Sequence, residues 1–77
     1  MEQYSFTVIR TAREGVNVLD QARCEKGLSQ MAISELADVP DVGQQYYRMY
    51  RSGDVRISKF LRFLKVLGYK LVIMKEE

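Results

Sequence analysis

Gly27, Gly53 and Gly68, together with Pro40, divide this chain into short stretches. Glycine closes a helix because it adopts the left-handed conformation without steric cost, and proline cannot continue a helix because it lacks an N–H group. Between these residues, apolar side chains recur at spacings of three and four, the period of an amphipathic helix. The pattern predicts four helices, at about 11–26, 29–38, 42–52 and 58–67.

Polar residues that accept hydrogen bonds stand where three of these helices begin. Thr11 is expected to be an N-cap, with Glu14 three residues later as a capping box requires. Ser29 is expected to cap the second helix. Asp41 with Gln44 repeats the capping-box spacing before the third helix. These signals predict where the helices start independently of their apolar pattern.

Both ends of the chain alternate apolar and other residues with a period of two. This pattern predicts short strands at 4–9 and 69–74. An isolated pair of strands is marginal in water, and an unpaired apolar edge favours aggregation. We therefore expect the strands to pair with each other or with a second copy of the chain. The expected architecture is a single, mainly α domain over residues 1–77 that forms a homodimer.

Each helix carries one apolar stripe, and these stripes are expected to form the core. In the third helix Tyr47 and Tyr50 lie three residues apart and are expected to hold the helix inward, whereas Tyr46 is expected to pack over the turn near Pro40. Cys24 is expected to be partly buried. The other residues expected in the core are Ala12, Val16, Leu19, Ile33, Leu36, Ala37, Ile57, Leu61 and Leu64, with Phe60 and Leu67 beside them. Phe60, Phe63 and Leu64 are expected either in the core or on a dimer surface.

The composition excludes several kinds of chemistry. The 77 residues include no histidine and one cysteine, which argues against zinc fingers, disulfide scaffolds and histidine acid–base catalysis. No nucleophile has a nearby base, and no glycine-rich phosphate loop is present. We expect no enzyme activity, cofactor or metal site. The lone cysteine, the short apolar runs and the absence of a signal-peptide pattern lead us to expect a cytoplasmic protein without membrane contact.

The net charge of +2 hides an uneven distribution. Residues 27–47 hold no basic side chain, whereas residues 48–77 hold eight of the 12 in the chain. Lysine and arginine clustered on one face attract polyanions. The alternative is an ordinary solvated face, and charge alone does not decide between the two.

Three segments in order resemble the Cro/repressor-type helix-turn-helix family, also called XRE. The run Gly27-Leu28-Ser29-Gln30, followed by Ile33, is similar to the start of that motif's first helix. Residues 42–53 resemble its recognition helix, and residues 57–68 its closing helix. The resemblance covers about 11–68 and implies a lambda-repressor-like fold that binds double-stranded DNA.

Two further features bear on this resemblance. The terminal segments resemble those of antitoxins that partner HipA-type kinase toxins, in which terminal strands help to build the dimer. In contrast, the segment Ala37–Val42 is longer than the usual turn of the family and carries Pro40 in place of a glycine. Arg51 also stands where the family often has glutamate. The longer turn leaves the angle of the recognition helix open.

The resemblance implies which residues would contact DNA. Gln44 and Gln45 take the base-reading positions at the start of the recognition helix, and glutamine can bond both N7 and N6 of adenine. Arg48, one turn later, is expected to reach either guanine or a phosphate. The residues expected at phosphates are Ser29, Gln30, Arg51, Ser52, Arg56 and Lys59. For the two glutamines the alternative is a plain exposed helix surface, and Lys59, Arg62 and Lys65 are alternatively a solvated face.

The sequence therefore supports two hypotheses about function. One is a small dimeric transcriptional regulator of the repressor type, whose two recognition helices read a palindrome about 34 Å, or one helical turn, apart. The other is an antitoxin-like subunit or another interaction module whose main role is to bind a partner protein.

Overall fold

The computed structural model describes residues 5–38 and 44–76 and shows a small, mainly helical protein. Its four helices are α1 (Ala12–Glu25), α2 (Gln30–Leu36), α3 (Gln44–Ser52) and α4 (Ile57–Leu67). All four predicted helices are therefore present. None of the helices in the described ranges is long and apolar enough to cross a bilayer.

Local hydrogen bonds fix the starts of α1 and α2 as predicted. The Thr11 Oγ1 atom accepts a hydrogen bond from the Glu14 N–H at 3.1 Å. The Glu14 carboxylate reaches back and accepts from the Arg10 N–H, also at 3.1 Å. In α2 the Ser29 Oγ accepts from the Ala32 N–H at 3.0 Å. These bonds satisfy N–H groups that have no partner within a helix. The predicted signals at Pro40 and Asp41 lie outside the described residues.

The helix ends follow the glycines, except in α2. Gly27, Gly53 and Gly68 have φ angles of +76°, +71° and +80°, the left-handed conformation expected of them. Helix α2 ends at Leu36, two residues before the predicted boundary. Its chain leaves the helix through Asp38, whose φ of 55° is also left-handed. Aspartate tolerates this conformation better than most residues, and this local turn ends the helix earlier than the sequence pattern suggests.

Helices α1 and α2 each pack against both α3 and α4. Burial of apolar side chains between these pairs is the main stabilising term of the fold. The core consists of Val16, Leu19, Ala22, Ile33, Ala37, Tyr46, Met49, Phe60, Phe63, Leu64 and Leu67.

The prediction that Tyr47 and Tyr50 form the buried face of α3 is wrong. Tyr46 is fully buried and Met49 nearly so, whereas Tyr47 and Tyr50 are 50% and 42% exposed. The helix is thus rotated by about one residue, roughly 100°, from the predicted orientation. The reason is that the buried Tyr46 hydroxyl finds a hydrogen-bond partner in Asp20 of α1, which the local apolar spacing cannot reveal.

Helix α4 departs from the predicted stripe in a similar way. Ile57 and Leu61 are exposed, contrary to the prediction, whereas Phe60, Phe63 and Leu64 lie in the core, one of the two places expected for them. The rings of Phe63 and Tyr46 of α3 pack edge to face, with centroids 5.5 Å apart and planes at 82°. Edge-to-face packing of two large rings favours this rotation of α4 over one that would bury Ile57 and Leu61.

Three other residues expected inside are also exposed, namely Ala12, Cys24 and Leu36.

The predicted terminal strands are absent from the described part of the chain. Residues 5–9 and 69–74 contain no strand, and Tyr4 lies outside the described residues. A strand is defined by its ladder to a neighbour, and these two segments do not form one within the single chain. Most of their apolar side chains face solvent, with Phe6 78% and Ile73 94% exposed, whereas Ile9 is half-buried and packs against the core.

Candidate nucleic-acid interface

An open groove runs between α3, the loop after it and the start of α4. Its apolar floor is formed by Met49, Val55 and Phe63. Polar and charged side chains make up the rest of its lining, and these are Gln45, Arg48, Ser52, Asp54, Arg56 and Lys59. Met49 and Phe63 belong to the core and Val55 packs against it, so the packing of the helices determines the shape of the groove.

Five residues predicted to contact DNA line this one groove. Gln45, Arg48 and Ser52 lie three and four residues apart on α3, so they share one side of the helix. Arg56 immediately precedes α4, and Lys59 lies in its first turn. The bend at Gly53 brings these two segments together. Residues of α3 and residues that follow the next loop thus form a single surface.

The electrostatics of the groove favour an anion. Arg48 and Arg56 are both exposed, and neither forms a salt bridge within the described residues. Lys59 contributes a third positive charge, and Asp54 is the opposing carboxylate. One oxygen of Asp54 accepts the Val55 N–H at 2.9 Å, which fixes the loop. The groove therefore carries a net positive charge at neutral pH.

Three of these five residues, Gln45, Ser52 and Lys59, are already engaged in hydrogen bonds. The Lys59 ammonium donates to the Oε1 atom of Gln45, which links α4 to α3. The Ser52 hydroxyl accepts the Asp54 N–H at 3.2 Å and lies 3.4 Å from the Met49 carbonyl. Ser52 therefore holds the loop after α3 in addition to lining the groove.

The other predicted site residues lie elsewhere. Arg51 is exposed and places its guanidinium 5.9 Å from the centre of the Tyr47 ring, a cation–π pair on the outside of α3. Ser29 and Gln30 lie at the start of α2, do not line the groove, and Ser29 is occupied as the N-cap. Gln44 is the first residue of α3, and its side chain lies outside the described part of the structure.

A buried polar cluster holds α3 against α1. The Tyr46 hydroxyl donates to Oδ1 of Asp20 at 2.8 Å, and Arg23 donates to the same oxygen at 3.0 Å. The Arg23 guanidinium also lies 5.5 Å from the centre of the Tyr46 ring. Burial, reinforced by the hydrogen bond to Asp20, raises the pKa of the Tyr46 hydroxyl well above its ordinary value. Tyr46 is thus a neutral donor that fixes the rotation of α3.

A second contact from α1 fixes the other end of α3. Arg13 donates to the carbonyls of Tyr50 at 2.7 Å and Arg51 at 2.8 Å. These carbonyls have no partner within the helix, and a cation is favourable at a helix C-terminus. The Arg13 side chain also occupies the space where Gly53 would carry a Cβ atom. Together with Tyr46, Arg13 sets the position of the groove's α3 wall.

These supporting residues leave little trace in the sequence. Asp20 and Arg23 lie three residues apart on α1, next to its apolar stripe, and a charged pair at that position is the only local signal for a buried polar cluster. Arg13 gives no such signal, because its partners are backbone carbonyls 37 and 38 residues away.

Comparison of the chain with models of known protein families and with curated proteins gives no match.

Proposed function

We propose that the protein binds double-stranded DNA as a small dimeric transcriptional regulator, with α3 in the major groove. The observation that carries the proposal is the groove itself, which gathers Arg48, Arg56 and Lys59 beside the exposed side of α3. B-DNA admits a helix into its major groove, and cations beside that helix would neutralise the flanking phosphates.

The arrangement of the helices supports a helix-turn-helix reading of this surface. Helix α2 precedes α3 in the chain and packs against it, and α4 packs against α2. In such a motif the second helix reads bases while its neighbours contact the backbone. Here α3 would be the recognition helix in a lambda-repressor-like domain, with Arg48 toward bases and Arg51, Ser52, Arg56 and Lys59 toward phosphates.

A homodimer would complete the DNA-binding unit. The terminal segments leave Phe6, Val8, Ile73 and Met74 exposed, although their alternation suits a strand. Pairing with the same segments of a second copy would supply the missing ladder and cover these side chains. Two copies would present two α3 helices, and a palindromic site with half-sites about 34 Å apart would match them.

Selection from a random pool of DNA duplexes tests the proposal most directly. Pools bound at roughly 50 and 200 mM salt should yield a palindromic sequence at both concentrations, with weaker binding at the higher one. Arg56→Ala should weaken binding to all sequences alike and lower the salt slope by about one. Arg48→Ala should instead alter the preference at one base pair or, if Arg48 binds phosphate, behave as Arg56→Ala does.

Lys65→Ala is the matched control, since Lys65 is exposed on α4 and lies outside both the groove and the terminal segments. It should leave the selected sequence unchanged and affect affinity less than Arg56→Ala. Equal binding of the wild type and the Arg48→Ala and Arg56→Ala variants, with no enriched sequence, would refute DNA binding through this groove.

The exposed apolar ends favour a second candidate, an antitoxin-like or other module that holds a partner protein. Phe6 and Ile73 would then bind that partner rather than a second copy. Sedimentation separates the two ideas. A wild-type dimer that Ile73→Lys converts to a monomer supports self-pairing, whereas a wild-type monomer at high micromolar concentration, together with failure of the DNA selection, favours the interaction module.

A further inference from the structure

The hydrogen bond between Lys59 and Gln45 determines which atoms the groove offers to DNA. A lysine ammonium has three donors and no acceptor, so the side-chain oxygen of Gln45 must face it. The amide NH2 of Gln45 then points away from Lys59. Both side chains are half-buried, which restricts the exchange of this bond with water.

With that oxygen turned toward Lys59 on α4, the groups that Gln45, Arg48, Arg56 and Lys59 present to the outside of the groove are donors. Arginine and lysine carry no acceptor, and only the amide NH2 of Gln45 remains outward. The remaining carboxylate, Asp54, has one oxygen bonded to the backbone of its own loop. A surface of donors complements a base edge that carries acceptors alone.

We infer that Lys59 sets the base specificity of Gln45, turning a potential adenine reader into a donor that selects guanine. This inference rests on the proposed DNA-binding function. An unconstrained glutamine donates to N7 and accepts from N6 of adenine, which requires its oxygen. Guanine presents N7 and O6, both acceptors, in the same groove. Lys59 thus acts as a positioning residue through Gln45, in addition to its charge.

Two variants test this assignment in a selection from random DNA duplexes. Lys59→Met keeps the length of the side chain but releases the Gln45 oxygen, so the preference for guanine over adenine at one base pair should fall by roughly tenfold. Gln45→Glu replaces the outward donor with an acceptor and keeps the attraction to Lys59. It should change the preferred base at that same position from guanine to cytosine, whose N4 amino group is a donor.

Lys65→Met is the matched control, because Lys65 also lies on α4 but is exposed and does not line the groove. It should reduce affinity at every sequence alike and leave all base preferences unchanged. Thermal melting of each variant confirms that it is folded. In the DNA-free protein, the side-chain NH2 resonances of Gln45 should shift in Lys59→Met and stay in place in Lys65→Met.

The outcomes separate this inference from the proposed function. A wild-type sequence with adenine at the Gln45-dependent position, or a base preference that Lys59→Met leaves unchanged, would overturn the inference and leave DNA binding intact. A Gln45→Ala variant that loses affinity without altering any base preference would show a phosphate contact only and would also overturn it. If no sequence is enriched by the wild type, both the inference and the proposed function fail.

Discussion

Replacing Tyr46 by phenylalanine tests the orientation of α3, on which the groove depends. The ring stays buried and keeps its edge-to-face contact with Phe63, so the change removes only the 2.8 Å hydrogen bond to Asp20. A hydrogen bond to a charged group contributes about 1.5–3 kcal/mol. Because Arg23 still pairs with Asp20 at 3.0 Å, no carboxylate is left without a partner. We expect a loss near the lower end of that range, about 1.5 kcal/mol.

Urea unfolding followed by far-ultraviolet circular dichroism measures this loss, since the chain has no tryptophan. All variants are compared at one protein concentration, because self-association would add to the apparent stability. The corresponding fall in melting temperature is about 6–12 °C for a domain of this size. Tyr50→Phe is the control, since its ring is 42% exposed and its hydroxyl bonds to none of the described residues. It should change stability by less than about 0.5 kcal/mol.

The opposite result would refute the reasoning. If Tyr50→Phe destabilises the protein and Tyr46→Phe does not, α3 has Tyr47 and Tyr50 inward, as the apolar spacing alone suggests. Truncation separates the two orientations further. Tyr46→Ala should cost about 3–5 kcal/mol as a buried aromatic, whereas Tyr47→Ala should cost far less.

The raised pKa of Tyr46 means that the folded protein holds this proton more tightly, so its contribution is intact below about pH 10. Above that pH, wild-type unfolding free energy should fall faster than that of Tyr46→Phe in parallel urea titrations. Gly53→Ala should lower the free energy of unfolding, measured with urea, more than Gly27→Ala does. Both glycines have positive φ, but only at Gly53 would the new Cβ collide with Arg13. Asp54→Asn should strengthen DNA binding several-fold in low-salt anisotropy titrations, and the gain should shrink as salt increases.

The starts of α1 and α2 and the helix ends at three glycines could be predicted because the signals are local. The side chain of Thr11 bonds to a backbone group three residues away, and so does that of Ser29. The left-handed turns at Gly27, Gly53 and Gly68 likewise depend on the glycine alone. Each of these signals lies within one helical turn of the structure that it determines, so a single sequence contains all the information needed.

The buried faces could not be predicted because they depend on distant partners. On α3, apolar spacing fits both the pair Tyr46 and Met49 and the pair Tyr47 and Tyr50. The choice is made by Asp20, which is 26 residues from Tyr46 in sequence. The candidate site shows the same limit, since the pairing of Lys59 with Gln45 spans 14 residues and joins two helices. The sequence suggested these residue types, whereas the three-dimensional packing assembles them into one groove.

The rotation of α3 affects the expected DNA contacts of its residues in different ways. Moving Tyr46 to the buried side turns Tyr47 outward, where it stacks with Arg51 instead of anchoring the helix. Arg48 lies about 200° around the helix from Tyr46 but only about 100° from the buried Met49, so it stands on the exposed side of α3 at the edge of the groove. In the proposed complex with DNA, Arg48 keeps both options, a guanine or a phosphate, whereas Gln45, hydrogen-bonded to Lys59, is the more constrained of the two.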